Sequence, residues 1–127
     1  MKPEIKVATY PNGQKQRETL YVNGQRHGLE TWWYENGQKM SEILYANGQR
    51  HGLAIWLYPN GQKWHETPYT NGQKHGLITS WHFNGSLSWI RKWHQDQLVW
   101  DISFTSQEQI FENAELELFF HEPPYLI

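Results

Sequence analysis

The chain has 127 residues and a formal charge of −2, from 11 Lys and Arg and 13 Asp and Glu, and it contains no Cys. The near balance of charge argues against a general nucleic-acid binder, and the lack of Cys excludes disulfides, Cys-ligated zinc and thiol catalysis. Aromatic residues make up 16% of the chain and include eight Trp, which indicates a folded protein.

The chain shows no targeting signal at its start. Residues 1–6 lack the apolar run of a signal peptide, and no stretch approaches the ~20 apolar residues of a membrane span. We therefore expect a cytoplasmic protein.

Asn-Gly pairs recur along most of the chain. They stand at positions 12, 23, 36, 47, 60, 71 and 84, so spacings of 11 and 13 alternate and the period is 24 residues. Asn-Gly between alternating segments is typical of two-residue type I′ hairpin turns. The pattern predicts an all-β, single-layer, twisted antiparallel meander of eight or nine strands over residues 1–104, with repeats at about 10–33, 34–57, 58–81 and a degenerate 82–104.

Two-residue turns fix the cross-strand partners by arithmetic. Around Asn36-Gly37 they place Tyr34 opposite Lys39, Trp33 opposite Met40 and Leu29 opposite Leu44. A bulge at the His-Gly glycines would shift this register.

The predicted register separates two faces of the sheet. We expect one of them to be the main buried surface; it carries Leu20, Leu29, Trp33, Met40, Leu44, Leu53, Ile55, Leu57, Trp64, Leu77 and Trp81. The other carries rings, namely Tyr21, Trp32, Tyr34, Tyr45, Trp56, Tyr58 and Tyr69, interleaved with Arg26, Lys39, Arg50, Lys63 and Lys74.

The His-Gly glycines fall opposite rings in this register. Gly28 is paired with Tyr45, Gly52 with Tyr69 and Gly76 with Trp93, which predicts that each ring lies over a glycine.

Residues 105–127 break the pattern. Ser106-x-x-Gln109 resembles a capping box and is followed by helical spacing, whereas Ala114–Leu118 alternates like a strand; we favour a short helix. Residues 1–92 hold all 11 basic and 6 acidic residues, while residues 93–127 hold 7 acidic and no basic residues. We expect this acidic tail to cap one end or face of the ribbon, and a partner-docking segment is the alternative.

The repeated unit resembles a known family. Tyr-x-Asn-Gly-Gln-Lys…Glu…Tyr-x-Asn-Gly-Gln-Arg-His-Gly-Leu…Trp is similar to the MORN repeat variant, closely over residues 10–83 and loosely over 84–104, where Ser86 and Leu87 depart from the pattern. Small bacterial proteins built of this variant resemble the YwqK-type antitoxin family. That resemblance implies a protein that binds and neutralises a toxin.

The sequence favours neither a metal site nor an enzyme. His27, His51 and His75 recur two strands apart, about 9.5 Å from one another, which is too far for shared zinc ligands. No nucleophile elbow, phosphate-binding Gly loop or Ser/His/Asp set is evident, and we expect no catalytic residues, cofactor or metal.

The basic and aromatic residues are the best candidates for a binding surface, because Trp, Tyr and Arg are enriched in binding hot spots. The predicted partner-binding residues are Trp32, Tyr34, Lys39, Tyr45, Arg50, Trp56, Tyr58, Lys63 and Tyr69. We expect a protein partner, most concretely a cognate toxin blocked by occlusion. The alternatives are a solubilised aromatic sheet, a scaffold or adaptor that binds anionic lipid, and self-association.

Overall fold

The computed structural model describes residues 2–104, which form one antiparallel sheet with strands in sequence order. The strands are β1 (Pro3–Thr9), β2 (Lys15–Val22), β3 (Gln25–Trp33), β4 (Lys39–Ala46), β5 (Gln49–Leu57), β6 (Lys63–Thr70), β7 (Gln73–Lys74), β8 (Gly76–Trp81), β9 (Leu87–His94) and β10 (Gln97–Ser103). Both β7 and β8 pair with β6, so they form one interrupted strand. The predicted all-β meander is confirmed, and the predicted helix and cap lie outside the described residues.

The Asn-Gly turns are of two kinds that alternate along the chain. At positions 23, 47 and 71 both Asn and Gly have positive φ, as a type I′ turn requires, and Gln95-Asp96 does the same. At positions 12, 36, 60 and 84 only the Gly has positive φ, and the Asn side chain instead accepts a bond from the backbone N–H two residues later. These are five-residue loops closed, for example, by the Tyr34 N–H to the Gln38 carbonyl at 2.8 Å.

The longer loops shift the register predicted for uniform two-residue turns. Trp32 pairs with Ser41 as the arithmetic requires, but Trp33 then pairs with Lys39, and Met40 has no partner in the ladder. The predicted pairs Tyr34–Lys39 and Trp33–Met40 are therefore wrong. The same step recurs one repeat later, where Leu57 pairs with Lys63. Each bulge moves a lysine to the face opposite the one predicted.

A second irregularity falls at each His-Gly-Leu. Ile43 pairs with Ala54 and Tyr45 with Arg50, so three residues of β5 lie opposite Leu44 alone. Gly52 lies in this bulge with a φ of 86°. The register opposite Tyr45, Tyr69 and Trp93 is as predicted.

The rings that lie opposite Gly28 and Gly52 do not explain why glycine is needed at these two positions. A Cβ at Gly28 would meet Cδ2 of Leu20 at 3.4 Å, and one at Gly52 would meet Cδ2 of Leu44 at 3.1 Å; no ring atom comes within 4 Å of either. The positive φ of the bulge, which disfavours residues with a Cβ, is the stronger reason.

The main core lies on the ring-bearing face, which reverses the predicted burial. Ile43, Tyr45, Ala54 and Tyr69 are buried together with Trp56 packed against them. Leu29, Leu44 and Leu53 of the predicted core are between 39% and 48% exposed, and Trp64 is 41% exposed. On this face, large aromatic side chains and the aliphatic parts of arginine side chains lie across the small residues of neighbouring strands. A single-layer sheet can therefore bury side chains on this face.

A second cluster lies at the C-terminal edge of the sheet. Leu87, Ile90 and Phe104 are buried there, and Leu77, Trp81, Trp100 and Ile102 pack against them. Leu77 and Trp81 are the predicted core residues that join a buried cluster.

Candidate functional site

One face of the sheet carries most of the rings and a row of bases, and we call it the basic–aromatic face. Its strand-to-strand pairing and its contacts place on it Lys6, Arg17, Tyr21, Arg26, Trp32, Tyr45, Arg50, Trp56, Tyr69, Lys74, Trp89, Arg91 and Trp93. We call the other side the leucine–lysine face; it carries Lys15, Glu18, Leu29, Lys39, Glu42, Leu44, Leu53, Lys63 and Glu66.

Each base of the basic–aromatic face lies over a ring. The distance from the cation to the ring centroid is 3.9 Å for Arg91 over Trp89 and 4.4 Å for Lys74 over Trp93. Arg50 lies 5.4 Å from the Tyr69 ring and donates a hydrogen bond of 3.0 Å to its hydroxyl. These contacts hold the bases in place at the surface without neutralising them.

The two faces differ in how their charges are paired. On the leucine–lysine face Lys15, Lys39 and Lys63 each form an ion pair with the Glu three residues later, at 2.7, 3.6 and 2.5 Å. On the basic–aromatic face Arg26 pairs with Glu30 at 3.4 Å, and within residues 2–104 no other base of that face has a carboxylate in ion-pair range. Most of the unpaired bases of residues 2–104 therefore lie on the basic–aromatic face, and Lys92, which is paired with Leu77 in the ladder, is an unpaired base on the other face.

Glu30 is a buried carboxylate within that face, and its side chain is 3% exposed. It accepts bonds of 2.8 Å from the Thr19 hydroxyl and 2.9 Å from the Trp32 indole. With Arg26 these donors satisfy the charge, as burial of a carboxylate requires. Glu30 is thus a structural group.

A pocket of about 260 Å³ opens at the C-terminal end of the basic–aromatic face. Three cations and three indoles contribute to its wall, namely Arg50, Lys74, Arg91, Trp56, Trp89 and Trp93. His65 also lines it; burial lowers the pKa of this imidazole, so it is held neutral, and its ring meets Trp56 edge-on at 5.0 Å.

Two buried donors on this face have no acceptor in the described part of the chain. They are Nε of Arg17 and Nε1 of Trp93, at opposite ends of the face. Buried donors without an acceptor are rare and costly, so each favours an acceptor supplied from outside the sheet.

The structure brings together five of the nine predicted partner-binding residues. Trp32, Tyr45, Arg50, Trp56 and Tyr69 share the basic–aromatic face. Lys39 and Lys63 lie on the opposite face because of the loop bulges.

Tyr34 and Tyr58 begin loops at one end of the strands. Their hydroxyls donate to the carbonyls of Leu57 and Trp81, at 2.6 and 2.8 Å. Burial raises the pKa of Tyr34. These two side chains tie neighbouring repeats together.

Arg17, Trp89 and Arg91 were missed by the sequence analysis. They occupy the same strand positions as Ser41, His65 and Thr67 in other repeats, and the cross-strand pairs place them on the face. Superposing the 24-residue units would have found them.

Within residues 2–104, no group of three His, Asp or Glu side chains is arranged so that it could hold a metal ion. His75 and His94 do come together, with ring centroids 4.7 Å apart. No helix in the described residues is long and apolar enough to cross a membrane.

The family model described as MORN repeat variant matches residues 26–47 and 50–71. Two stretches of the chain are thus similar to the MORN repeat variant. The two matches begin at Arg26 and Arg50, which are equivalent bases of the basic–aromatic face. Each match therefore includes a strand that contributes a base to this face. No curated protein matches the chain.

Proposed function

We propose that this chain is a non-enzymatic binding protein whose basic–aromatic face docks an acidic surface of a protein partner. The observation that carries the proposal is the unequal pairing of charge: Lys15, Lys39 and Lys63 opposite have their own glutamates. By contrast, Arg17, Arg50, Lys74 and Arg91 lie on rings without a carboxylate of residues 2–104 in ion-pair range. MORN repeats are generally modules that bind proteins or lipids, which agrees with this role.

The composition of the face suits a protein interface. Trp, Tyr and Arg supply large rigid contact areas and are the residues most often found in hot spots. Because the rings already hold the arginines, little side-chain entropy is lost on binding, and preorganisation of this kind raises affinity.

The most specific form of this function is that of a cytoplasmic antitoxin that blocks a cognate toxin by occlusion. The family resemblance of the repeat motif suggests it, and the broad, preformed basic–aromatic face is compatible with covering a partner's surface. Occlusion requires only that the partner's active surface be covered.

The test is co-expression with the product of the neighbouring gene. We expect the two proteins to co-purify at low ionic strength, and the growth defect caused by the neighbour alone to be relieved by this chain. If the neighbour is toxic and neither association nor rescue is observed, the antitoxin proposal is wrong.

A membrane-surface adaptor is the second candidate, because unpaired bases also attract anionic headgroups at about 1 kcal/mol each near the surface. Flotation with vesicles of phosphatidylcholine and phosphatidylserine tests it. Retention that falls as salt rises supports the adaptor, and absence of flotation at low salt excludes it.

A further inference from the structure

The fourth repeat departs from the others at the wall of the 260 Å³ pocket. Trp89, Arg91 and Trp93 stand where the preceding repeat has His65, Thr67 and Tyr69, and the alternation of β9 places all three on the basic–aromatic face. Part of the pocket wall is therefore formed by residues that break the 24-residue pattern. The basic–aromatic face, which otherwise repeats every 24 residues, therefore differs in composition at the fourth repeat.

The charge of this pocket is strongly one-sided. Among residues 2–104, Arg50, Lys74 and Arg91 line it and no Asp or Glu does; Asp101 lies outside the lining, opposite Arg91 on β10. Three like charges around a small volume repel one another, and an anion placed among them would relieve that repulsion. A guanidinium that lies on a ring keeps its N–H groups for a carboxylate in its own plane.

The walls suit an occupant that is partly apolar. The cations of Arg91 and Lys74 lie over the rings of Trp89 and Trp93. The guanidinium of Arg50 lies 6.0 Å from the centroid of the Trp56 ring. Nε1 of Trp93 is buried without an acceptor in residues 2–104, so the wall has a free donor as well. An aliphatic stem that ends in a carboxylate matches rings and cations together.

The volume decides between a small molecule and a side chain. Sites for drug-sized ligands occupy about 300–1,000 Å³, so this pocket falls just below their range. It suits one inserted side chain with part of a neighbour, as in the central anchor of a protein interface.

We propose that this pocket is the anchor site for a glutamate or aspartate side chain in an acidic peptide segment of the partner. The carboxylate lies among Arg50, Lys74 and Arg91, and the stem packs on Trp89 and Trp93. This assignment rests on the proposed function, since it names the position at which the partner is held. Because Trp89, Arg91 and Trp93 break the repeat pattern, the pocket marks one position along the face and sets where the partner binds.

The test uses the full chain and a fluorescein-labelled deca-glutamate peptide, with fluorescence anisotropy at low ionic strength. We expect Arg91→Gln to raise the Kd about tenfold, the effect of losing one charge-assisted contact. Lys74→Gln, at a half-buried position opposite Tyr69, should do the same and serves if Arg91→Gln does not fold. Lys39→Gln, on the leucine–lysine face, is the matched control and should change the Kd less than about twofold. Arg17→Gln, at the other end of the basic–aromatic face, should weaken binding less than Arg91→Gln does.

Four outcomes would overturn the assignment. Equal weakening by Arg17→Gln and Arg91→Gln would mean that the peptide senses the whole face rather than the pocket. The assignment is also wrong if deca-glutamate does not bind to the wild type. It is wrong as well if inorganic phosphate or phosphatidylserine vesicles displace the labelled peptide more effectively than unlabelled glutamate peptide does. If the neighbouring gene's product binds the wild type and the Arg91→Gln chain equally, the anchor fails while the proposed function stands.

Discussion

Trp33 lies directly opposite Lys39, one position earlier than a two-residue turn would place its partner. That single step leaves Met40 outside the ladder and sends Lys39 to the leucine–lysine face, where it meets Glu42 at 3.6 Å. The separation of paired from unpaired bases therefore originates in the five-residue loops. The conformation of a loop determines which face can attract an anion.

Loss of a paired lysine should have little effect on stability. Lys39 and Glu42 are 46% and 29% exposed, and exposed ion pairs contribute about 0–1 kcal/mol. We expect Lys39→Gln to change the free energy of unfolding by less than about 0.5 kcal/mol in urea denaturation. A loss above about 2 kcal/mol would show that the pair is structural.

The buried pair Thr19 and Glu30 should behave differently. They lie opposite each other, and the next repeat has Ile43 and Ala54 at the same place. Glu30→Ala removes the acceptor of Thr19 and Trp32, and we expect a loss of about 2–3 kcal/mol in urea denaturation.

The double variant Thr19→Ile/Glu30→Ala reproduces the apolar pair of the second repeat. We expect it to recover much of the lost stability, because replacing both polar partners leaves fewer unsatisfied groups. A double variant less stable than Glu30→Ala alone would contradict this account of the pair.

The His-Gly glycines should differ in their tolerance of a Cβ. Both Gly52 and Gly76 have positive φ, so alanine costs about 1–2 kcal/mol at either position. At Gly52 the close atom belongs to the half-exposed Leu44, which can turn away, whereas at Gly76 it is Cγ of the Pro68 ring at 3.0 Å. We expect Gly76→Ala to lower the urea midpoint more than Gly52→Ala.

Pro68→Leu supplies the control, because leucine is the residue opposite the bulge in the two earlier repeats. Gly76→Ala/Pro68→Leu should bring the cost of the alanine down to that seen at Gly52. An unchanged cost would mean that backbone conformation alone accounts for the loss.

The neutral state of His65 predicts a pH dependence of stability. Burial lowers its pKa in the folded protein, so the unfolded chain binds the proton more readily. The stability that depends on neutral His65 is complete above the unfolded pKa of about 6.5 and is lost as the pH falls below it. We expect the urea midpoint to fall between about pH 7.5 and 5.5.

Other histidines also titrate in this range, so the comparison with His65→Ser is decisive. Serine is the residue at the equivalent position 41. The variant should lose less stability on acidification than the wild type does. An identical fall in both proteins would show that His65 is not the group responsible.

The sequence sufficed for the meander, the period and much of the register, since Gly28 does pair with Tyr45 and Gly52 with Tyr69. It did not reveal that two kinds of turn share the dipeptide Asn-Gly, because Asn36 differs from Asn47 in backbone conformation and not in identity. The sequence also led to the wrong face being predicted as buried. Leucines on a single-layer sheet remain exposed unless longer side chains lie across them. The longer side chains, Arg50 and Tyr69 among them, are on the other face. The position of Arg91 in a pocket required the pairs of β9.

The affinity for the neighbouring gene's product, measured by isothermal titration calorimetry with two charge-matched variants, tests the account most directly. Arg50→Gln/Lys74→Gln removes two bases from the basic–aromatic face, and Lys39→Gln/Lys63→Gln removes two from the leucine–lysine face, so the net charge changes equally. We predict that the first pair raises the Kd at least about tenfold, as expected when unpaired interfacial charges are lost, while the second leaves it within about twofold. Equal effects of the two pairs, or a larger effect of the second, would contradict the claim that one face binds the partner.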